Sequence, residues 1–501
     1  RVFGGTTNKP DTNYFSQVGA YSNFSKSEPL RDSDAITATL SARQVNEVRE
    51  YVPGNDLLVF TSGSEWRQNS GSDSAFAAST LRQKPQSNWG TTFQRPIVIG
   101  TTSLFVQENS NRVRSFGFSL QLDGYTGTDL NLLASHMFES APIVDWDMAK
   151  YPDNIIHAVR GDGYVCSLTF QQEQEVVAWA RWKTAGKFEA VACLPRATGE
   201  LFDRTYFVVK RIVNGNVVRY VERLKPQVID QVEDCFFVDC GLSLDNPITI
   251  SGVTSADPCV VTAIAHGLSN GDTVDITDIV WVADEDDAGG ESQPDQLNHR
   301  RFLVANKATD TFELNDLNGN PVDASEFNAY VEGGKVRKAI QSISNMHHLE
   351  GKTLAALCDG NVITGLVPSN GVVTLPRKFS RVHLGLGYVS DIETLDKEVS
   401  PQQTIQGRTK SIGRLSIRFQ KSRGCFYGPT FDEKDLVELK QREDENYDEP
   451  TRLDSSVRTV VCPPSWNKHG RVCVRQSKPL PMTVLGIIPD YTLEDYDKKG
   501  D

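Results

Sequence analysis

The chain has 501 residues, 39% of them hydrophobic, with 65 acidic against 52 basic side chains and a formal charge of −13. That length exceeds one ordinary core and predicts several domains, while no stretch reaches the about 18 consecutive apolar residues that a spanning helix needs. The acidic balance argues against clamping nucleic acid through its phosphates, which takes concentrated Lys and Arg, but it does not argue against a surface that DNA slides past.

The chain opens on Arg1 in "RVFGG", strand-like sequence without an initiator Met or a signal-like apolar core, so a preceding part is expected to be missing. In "NDLLVFTSGSEWRQNSG" (55–71), Leu57 to Phe60 predicts an inner strand and Ser62-Gly63 the turn or bulge after it. Trp66 is expected to pack between sheets. "TGTDLNLLASHMF" (126–138) predicts the one short helix, capped by Thr or Asp, with Leu130, Leu133 and Met137 on one face.

Hairpins follow in series. "IIHAVRGDGYVCSLTF" (155–170) turns at Asp162-Gly163, and "EVVAWARWKTAGKFEAVACLP" (175–195) is expected to turn near Gly186. "TYFVVKRIVNGNVVRYVERL" (205–224) folds about Asn214-Gly215, a dipeptide suited to the left-handed backbone of a two-residue hairpin turn. "TLAALCDGNVITGLV" (353–367) turns at Asp359-Gly360. Short strands with turn residues every 8 to 12 positions predict a β-sandwich or a β-propeller.

Residues 245–338 change style, with a compact β unit interrupted by the acidic loop "DEDDAGGESQPDQ" (284–296). The expected division is a β-propeller-like body over 1–244 and 339–400, an inserted small β domain over 245–338, and a C-terminal β domain with an acidic excursion and tail over 401–501. The fold class is therefore mainly β.

The pattern G-x-S-x-G occurs at Gly267 to Gly271, where no nucleophile elbow is expected; no G-x-x-x-x-G-K-[ST] or H-E-x-x-H stands in the chain, and G-x-G-x-x-G does not follow a strand. Adjacent His347 and His348 would point to opposite faces of a strand, which makes a shared ligand awkward, and His136, His266 and His299 read as ordinary polar residues. Asp284, Glu285, Asp286 and Asp287 form a dense cluster that a glycosidase or calcium site could use, yet consecutive acids in a Gly- and Ser-rich loop normally face water. "NDLNGN" (315–320) lacks the spacing and closing Glu of a calcium loop and reads as a turn.

Arg160-Gly161-Asp162 spells an adhesive tripeptide but sits where a hairpin wants Asp-Gly. "WARWKTAGKF" (179–188) interleaves basic and aromatic residues as a base-stacking surface would, although strand alternation places Trp179 and Trp182 on opposite faces, as sheet packing requires. Nine cysteines without a C-x-x-C pair read as small buried hydrophobes in a reducing compartment. The expectation is a non-enzyme with no catalytic, cofactor-binding or metal residues and no cofactor.

The order of phrases carries a further signal. "DLLVFTSGSEW", "RPIVIGTTSLFVQENSNRVRSFGFSLQLDGYTGTDLNLLASHMF", "PDNIIHAVRGDGYVCSLTFQQEQEVVAWARW" and "TYFVVKRIVNGNVVRYVERL" resemble, nearly chain-long, the tail nozzle (tail tubular protein B) family of short-tailed bacteriophages. The inserted unit, with "AHGLSNGD", "FLVANKATDTFEL" and "AYVEGG", resembles the small β domain first described as the first catalytic cysteine half-domain of ubiquitin-activating enzymes, without ubiquitin chemistry. The resemblance implies a virion structural protein of the phage tail. It would form a homo-hexameric ring below an adaptor ring and the portal, associate with tail fibres or spikes, and pass DNA without binding it specifically. An acidic lumen would then limit drag on the phosphates. Contact of the inserted domain with neighbouring subunits or the host surface is a further expectation. The alternative is a carbohydrate-directed β-propeller, a glycan-binding or depolymerising tail component, whose mark would be buried paired acids flanked by aromatics.

Overall fold

A computed structural model of the chain describes residues 1–71, 76–227, 229–282, 296–398, 404–440, 442, 445 and 450–494. These residues fold into antiparallel strands with only short 3-10 turns between them, and no α-helix is present among them. The protein is mainly β, built from small antiparallel meanders, several of them consecutive in the chain, of the kind that make propeller blades. The chain divides into two compact units, one of Arg1–Ile212 with Asn216–Leu224 and one of Val213–Gly215 with Lys225–Asp501.

The first unit runs through its sheets in chain order. Val48–Pro53, Leu57–Thr61, Glu65–Asn69 and Arg82–Ser87 form one four-stranded meander, and Ile97–Ile99 to Gly124–Thr126 form the next. Ile143–Ala149, Ile155–Arg160, Val165–Gln171 and Val176–Trp182 form a third. Leu57–Thr61 is an inner strand, and Trp66 on the neighbouring strand is 3% exposed, packed with Leu40, Val48 and Val59. Its indole N–H donates to Ser64 Oγ at 2.7 Å, so both its apolar body and its polar edge are satisfied without a ligand.

Turn chemistry sets the hairpins. Asn214 and Gly215 have φ of 47° and 76°, as do Asp359 and Gly360 with 44° and 72°, the left-handed pair that matches strand twist. The 175–195 segment departs from expectation. Val176–Trp182 and Lys187–Leu194 belong to different sheets, and Gly186 lies in the link between them. A Cβ at Gly186 would stand 2.6 Å from the Lys210 carbonyl oxygen, so the glycine serves close approach rather than a hairpin turn.

The 126–138 segment is not the expected helix; it contains one 3-10 turn, Ser135–Met137. Its backbone lies along the strand Val113–Ser119 instead, with Leu130 N–H donating to the Val113 carbonyl and Ser115 N–H to the Thr128 carbonyl. Asn131 fixes the arrangement by accepting from Val113 N–H at 3.1 Å and donating to the Asn111 carbonyl at 2.9 Å. The leucine spacing misleads because Leu130 is buried while Leu133 is 97% exposed.

In the second unit, Asp239–Leu244 pairs with Val382–Leu386, and that sheet continues through Leu354–Cys358 to Asn361–Leu366. Between the two halves of this sheet lies a seven-stranded sheet running from Ile248 to Lys338. Ile248 and Thr249 pair with Val336 and Lys335, and four residues on Gly252 and Val253 pair with Thr262 and Val261. One extended segment thus bonds both edges of the sheet and closes it into a small barrel, which leaves no open edge. Its interior holds Ile250, Val274, Ile276, Phe302, Phe312 and Val336, each at most 2% exposed.

The barrel is clamped at its base. Arg337 donates to Asp245 Oδ1 at 2.7 Å and to Thr277 Oγ1 at 2.9 Å, so the two ends of the segment meet. Arg301 forks onto Asp275 at 2.7 and 2.8 Å and reaches Asp359 Oδ2 at 3.1 Å and the Lys378 carbonyl at 3.0 Å. Burial pushes the Asp245 carboxyl up, but the bond from Arg337 and the charges of Arg337 and Arg381 outweigh it and leave its pKa lowered. Past the barrel, strands Lys410–Phe419, Val457–Val461 and Val484–Leu493 form a three-stranded sheet with its own core, including Leu415, Ile417 and Val474.

Deleting residues 246–337 should leave the rest of the chain folded, because Asp245 and Arg337 already touch. Size-exclusion chromatography and circular dichroism of the deletion variant should show a monodisperse β protein; aggregation would refute the reading of this segment as an insertion.

Candidate functional site

The residues that the sequence offers for chemistry are dispersed by the fold. His136 is exposed on its 3-10 turn, and His299 is exposed in the barrel. His347 and His348 lie on a 3-10 turn, His347–Leu349, rather than on a strand; His347 is exposed and His348 Nε2 lies 3.2 Å from the Cys240 carbonyl. His266 is buried in the barrel, where its Nδ1 accepts from Leu268 N–H at 3.0 Å and its ring meets Phe312 edge to face. Asp284, Glu285, Asp286 and Asp287 lie outside the described residues.

In 315–320, Asp316 Oδ1 accepts from Asn318 N–H at 2.9 Å and Asn320 N–H at 2.8 Å, which makes it the knot of a turn. The Arg160 side chain is 3% exposed and donates to the Met137 carbonyl, Ser140 and Asp162, so the tripeptide is closed on itself. Trp179 donates to the Leu130 carbonyl at 2.9 Å and packs on Phe138, while Trp182 packs on His157 and Phe207. Both indoles are sheet-packing residues. All nine cysteines are free thiols, and burial pushes the Cys166, Cys259 and Cys462 thiols up to about 11. Among the described residues, no group of three or more His, Cys, Asp and Glu is placed to hold a metal ion.

Three features escape a sequence reading. The first is a cavity of about 140 Å³ in the second unit, lined by Gln227, Phe237, Tyr388, Ser390, Gln476 and Thr483 among others. Its wall offers hydroxyls and amides without a carboxylate or imidazole, and its one ammonium, on Lys478, is paired with Glu438 at 2.5 Å. Such a lining can hold water or a small polar molecule but supplies no general base.

The second is a pair of carboxylates on the strand Ile143–Ala149. Asp145 Oδ2 accepts from Val191 N–H at 2.9 Å and Asp147 Oδ2 from Cys193 N–H at 2.6 Å. Val191 and Cys193 belong to the next sheet, so side-chain oxygens take the place of a pairing strand at its edge. Acids two apart on a strand share a face, and "DWD" was the available signal.

The third is His157, in register with Asp147 and Ser167 on the face that carries this seam. It is 1% exposed, its ring set edge to face against Trp182 and Phe207, and its Nδ1 is buried without a hydrogen-bond partner among the described residues. Burial lowers its pKa from 6.5 to about 4.

The unfolded chain therefore takes up this proton first as the pH falls, and stability is lost between pH 6.5 and about 4. The loss should reach about 3 kcal/mol at the acid end of that window. In urea titrations at both ends of the window, His157→Phe should reduce the acid sensitivity of the first unit; an equal acid loss in wild type and variant would contradict the assignment.

Comparisons with known proteins add little to this geometry. No family model matches the chain, and no curated protein matches it. Among solved structures, the chain is similar to the crystal structure of the WD40 domain of SCAP from fission yeast, at 10% identity, covering 77% of this chain and 91% of that one. The TM-score of that match is 0.23, too low for any functional argument.

Proposed function

We propose that the chain is a virion structural protein, the tail nozzle of a short-tailed bacteriophage, without enzymatic activity or cofactor. The observation that carries this reading is the ordered series of phrases from "DLLVFTSGSEW" to "VVRYVERL", which resembles that family in order as well as in wording. A β-propeller-like body with a closed barrel spliced into the chain suits a subunit whose task is to be shaped and to pack. The formal charge of −13 suits a conduit wall, since an acidic lining repels phosphates and keeps DNA moving.

In this reading the partners are further copies of the chain in a six-fold ring, an adaptor ring above, and tail fibres or spikes at the side. A ring closes through heterologous contacts, in which two different patches of each subunit meet. The barrel reaches outward, for subunit contact or for the host surface.

Electron-microscopy class averages of the purified protein, alone and with its adaptor, should show a six-fold ring with an open channel. Monomers that cleave or bind a glycan would favour the carbohydrate-directed propeller instead. Reversing lumen-facing acids to Lys should slow DNA ejection from assembled particles, and unchanged ejection kinetics would remove the acidic-lumen idea.

A further inference from the structure

The cavity of about 140 Å³ in the second unit has walls that are held from behind. Gln476 is 5% exposed; its amide N–H groups donate to the Arg423 carbonyl at 3.1 Å and to the Gly424 carbonyl, and its Oε1 accepts from Lys478 N–H at 3.0 Å. Ser390 stands opposite Gln476 in the register of strands Ser390–Glu393 and Cys473–Gln476. Thr483 N–H donates to Ser422 Oγ at 2.7 Å. On the other side, Ile229, Phe237 and Leu480 pack in one apolar cluster. One water needs roughly 10–15 Å³ of such space, so the cavity takes several waters or one molecule about the size of a sugar ring.

The polar groups that line it are short of partners. The hydroxyls of Tyr388, Ser390 and Thr483 and the Gln227 carboxamide make no hydrogen bond with the described residues. Tyr388 and Ser390 are half-buried, whereas Gln227 and Thr483 are exposed, which puts the mouth on their side. Burial, and then the Asp239 carboxylate, push the Tyr388 pKa well up, so its hydroxyl stays neutral and can both donate and accept. An anion would need a free cation, but Lys478 is held by Glu438 at 2.5 Å. A cation would need a carboxylate, which the described lining lacks. An apolar guest would leave the half-buried Tyr388 and Ser390 hydroxyls desolvated and unpaired, which is costly.

We propose that this pocket binds a neutral polyhydroxylated molecule, a single hexose unit, through Tyr388, Ser390 and Thr483, with Gln227 at the mouth. A sugar hydroxyl donates and accepts at once, as the three protein hydroxyls do, so each contact is satisfied in either sense. The C–H face of the sugar needs an apolar wall, which Ile229, Phe237 and Met482 supply. Most of these bonds replace ones that water already made, so the affinity is about millimolar. The described lining offers no carboxylate or imidazole as a general base, so the unit is held and not cleaved. The site lies within the second unit of one chain and does not depend on the nozzle reading; a six-fold ring that binds a hexose keeps both.

Saturation-transfer NMR and calorimetric titration of the full chain with glucose, galactose, mannose and N-acetylglucosamine test it. At least one should bind saturably, with a dissociation constant of about 1 mM. Tyr388→Phe, Ser390→Ala and Thr483→Val should each weaken that binding about three- to tenfold, the worth of one net hydrogen bond. Tyr388→Phe keeps the ring and removes only the hydroxyl; should it or Ser390→Ala fail to fold by its melting curve, Thr483→Val at its exposed position carries the same comparison. A trisaccharide ending in the same unit that binds as tightly assigns the pocket to the ends of glycan chains, and a free sugar that binds while the trisaccharide does not assigns it to the monosaccharide; either result supports the site. Failure of the whole panel to bind in the millimolar range overturns the proposal, as does sugar binding that all three variants leave unchanged. Displacement of the sugar by acetate, inorganic phosphate or butanol would assign the pocket to a charged or apolar ligand and overturn it as well.

Discussion

Small sheets have a problem that large ones do not: most of their strands are edges, and each edge carries N–H and C=O groups that need partners. In the first unit the answer is to bond sheet to sheet through side chains. Asp145 and Asp147 occupy the edge amides of Val191 and Cys193, and Trp146 and Trp179 donate to the carbonyls of Arg95 and Leu130. A carboxylate bonded to a backbone amide is a charge-assisted contact, stronger than a neutral one. These bonds set the stagger of successive sheets, and the apolar layers of Val159, Val165, Phe207 and Val209 pack within the stagger so set. His157 shares this seam, where burial disfavours its charged form.

The second unit contains the opposite solution. Its barrel removes its edges by closing on itself, one segment bonding both ends of the sheet. Closure makes its core independent, and the rest of the unit meets it through arginine clamps at the base.

Much of this was legible because local chemistry and tertiary need agree. Asn214-Gly215 and Asp359-Gly360 turn where they should because a left-handed pair is costly for other residues whatever surrounds them. Trp179 and Trp182 separate to opposite faces because strand alternation is a property of the backbone. The illegible parts are those where a distant partner decides. Residues 126–138 have helical spacing, yet Val113–Ser119 offers their amides a better set of partners than their own chain does. Gly186 looks like a hairpin turn because a link between sheets and a turn within one need the same residue. The strand-rich sequence around His347 and His348 predicts a strand, though a short 3-10 turn carries them. The cavity beside Tyr388 draws its walls from three stretches of chain far apart in sequence, so no local pattern announces it.

The barrel's attachment has a mechanical side. A domain hung from one linker swivels, whereas this one leaves its host by Asp239–Leu244 and returns by Ile340–Ile343, with Arg301 and Arg337 bracing the gap between. Force applied to it cannot be absorbed by a loose hinge. It enters Asp239–Leu244, whose Leu242, Ser243 and Leu244 pair in register with Leu384, His383 and Val382, and pulling along that pair loads several bonds at once in shear rather than one at a time. The barrel is fastened as a lever is fastened to its shaft: a push at its far end is delivered to the edge strand of the four-stranded sheet that carries it.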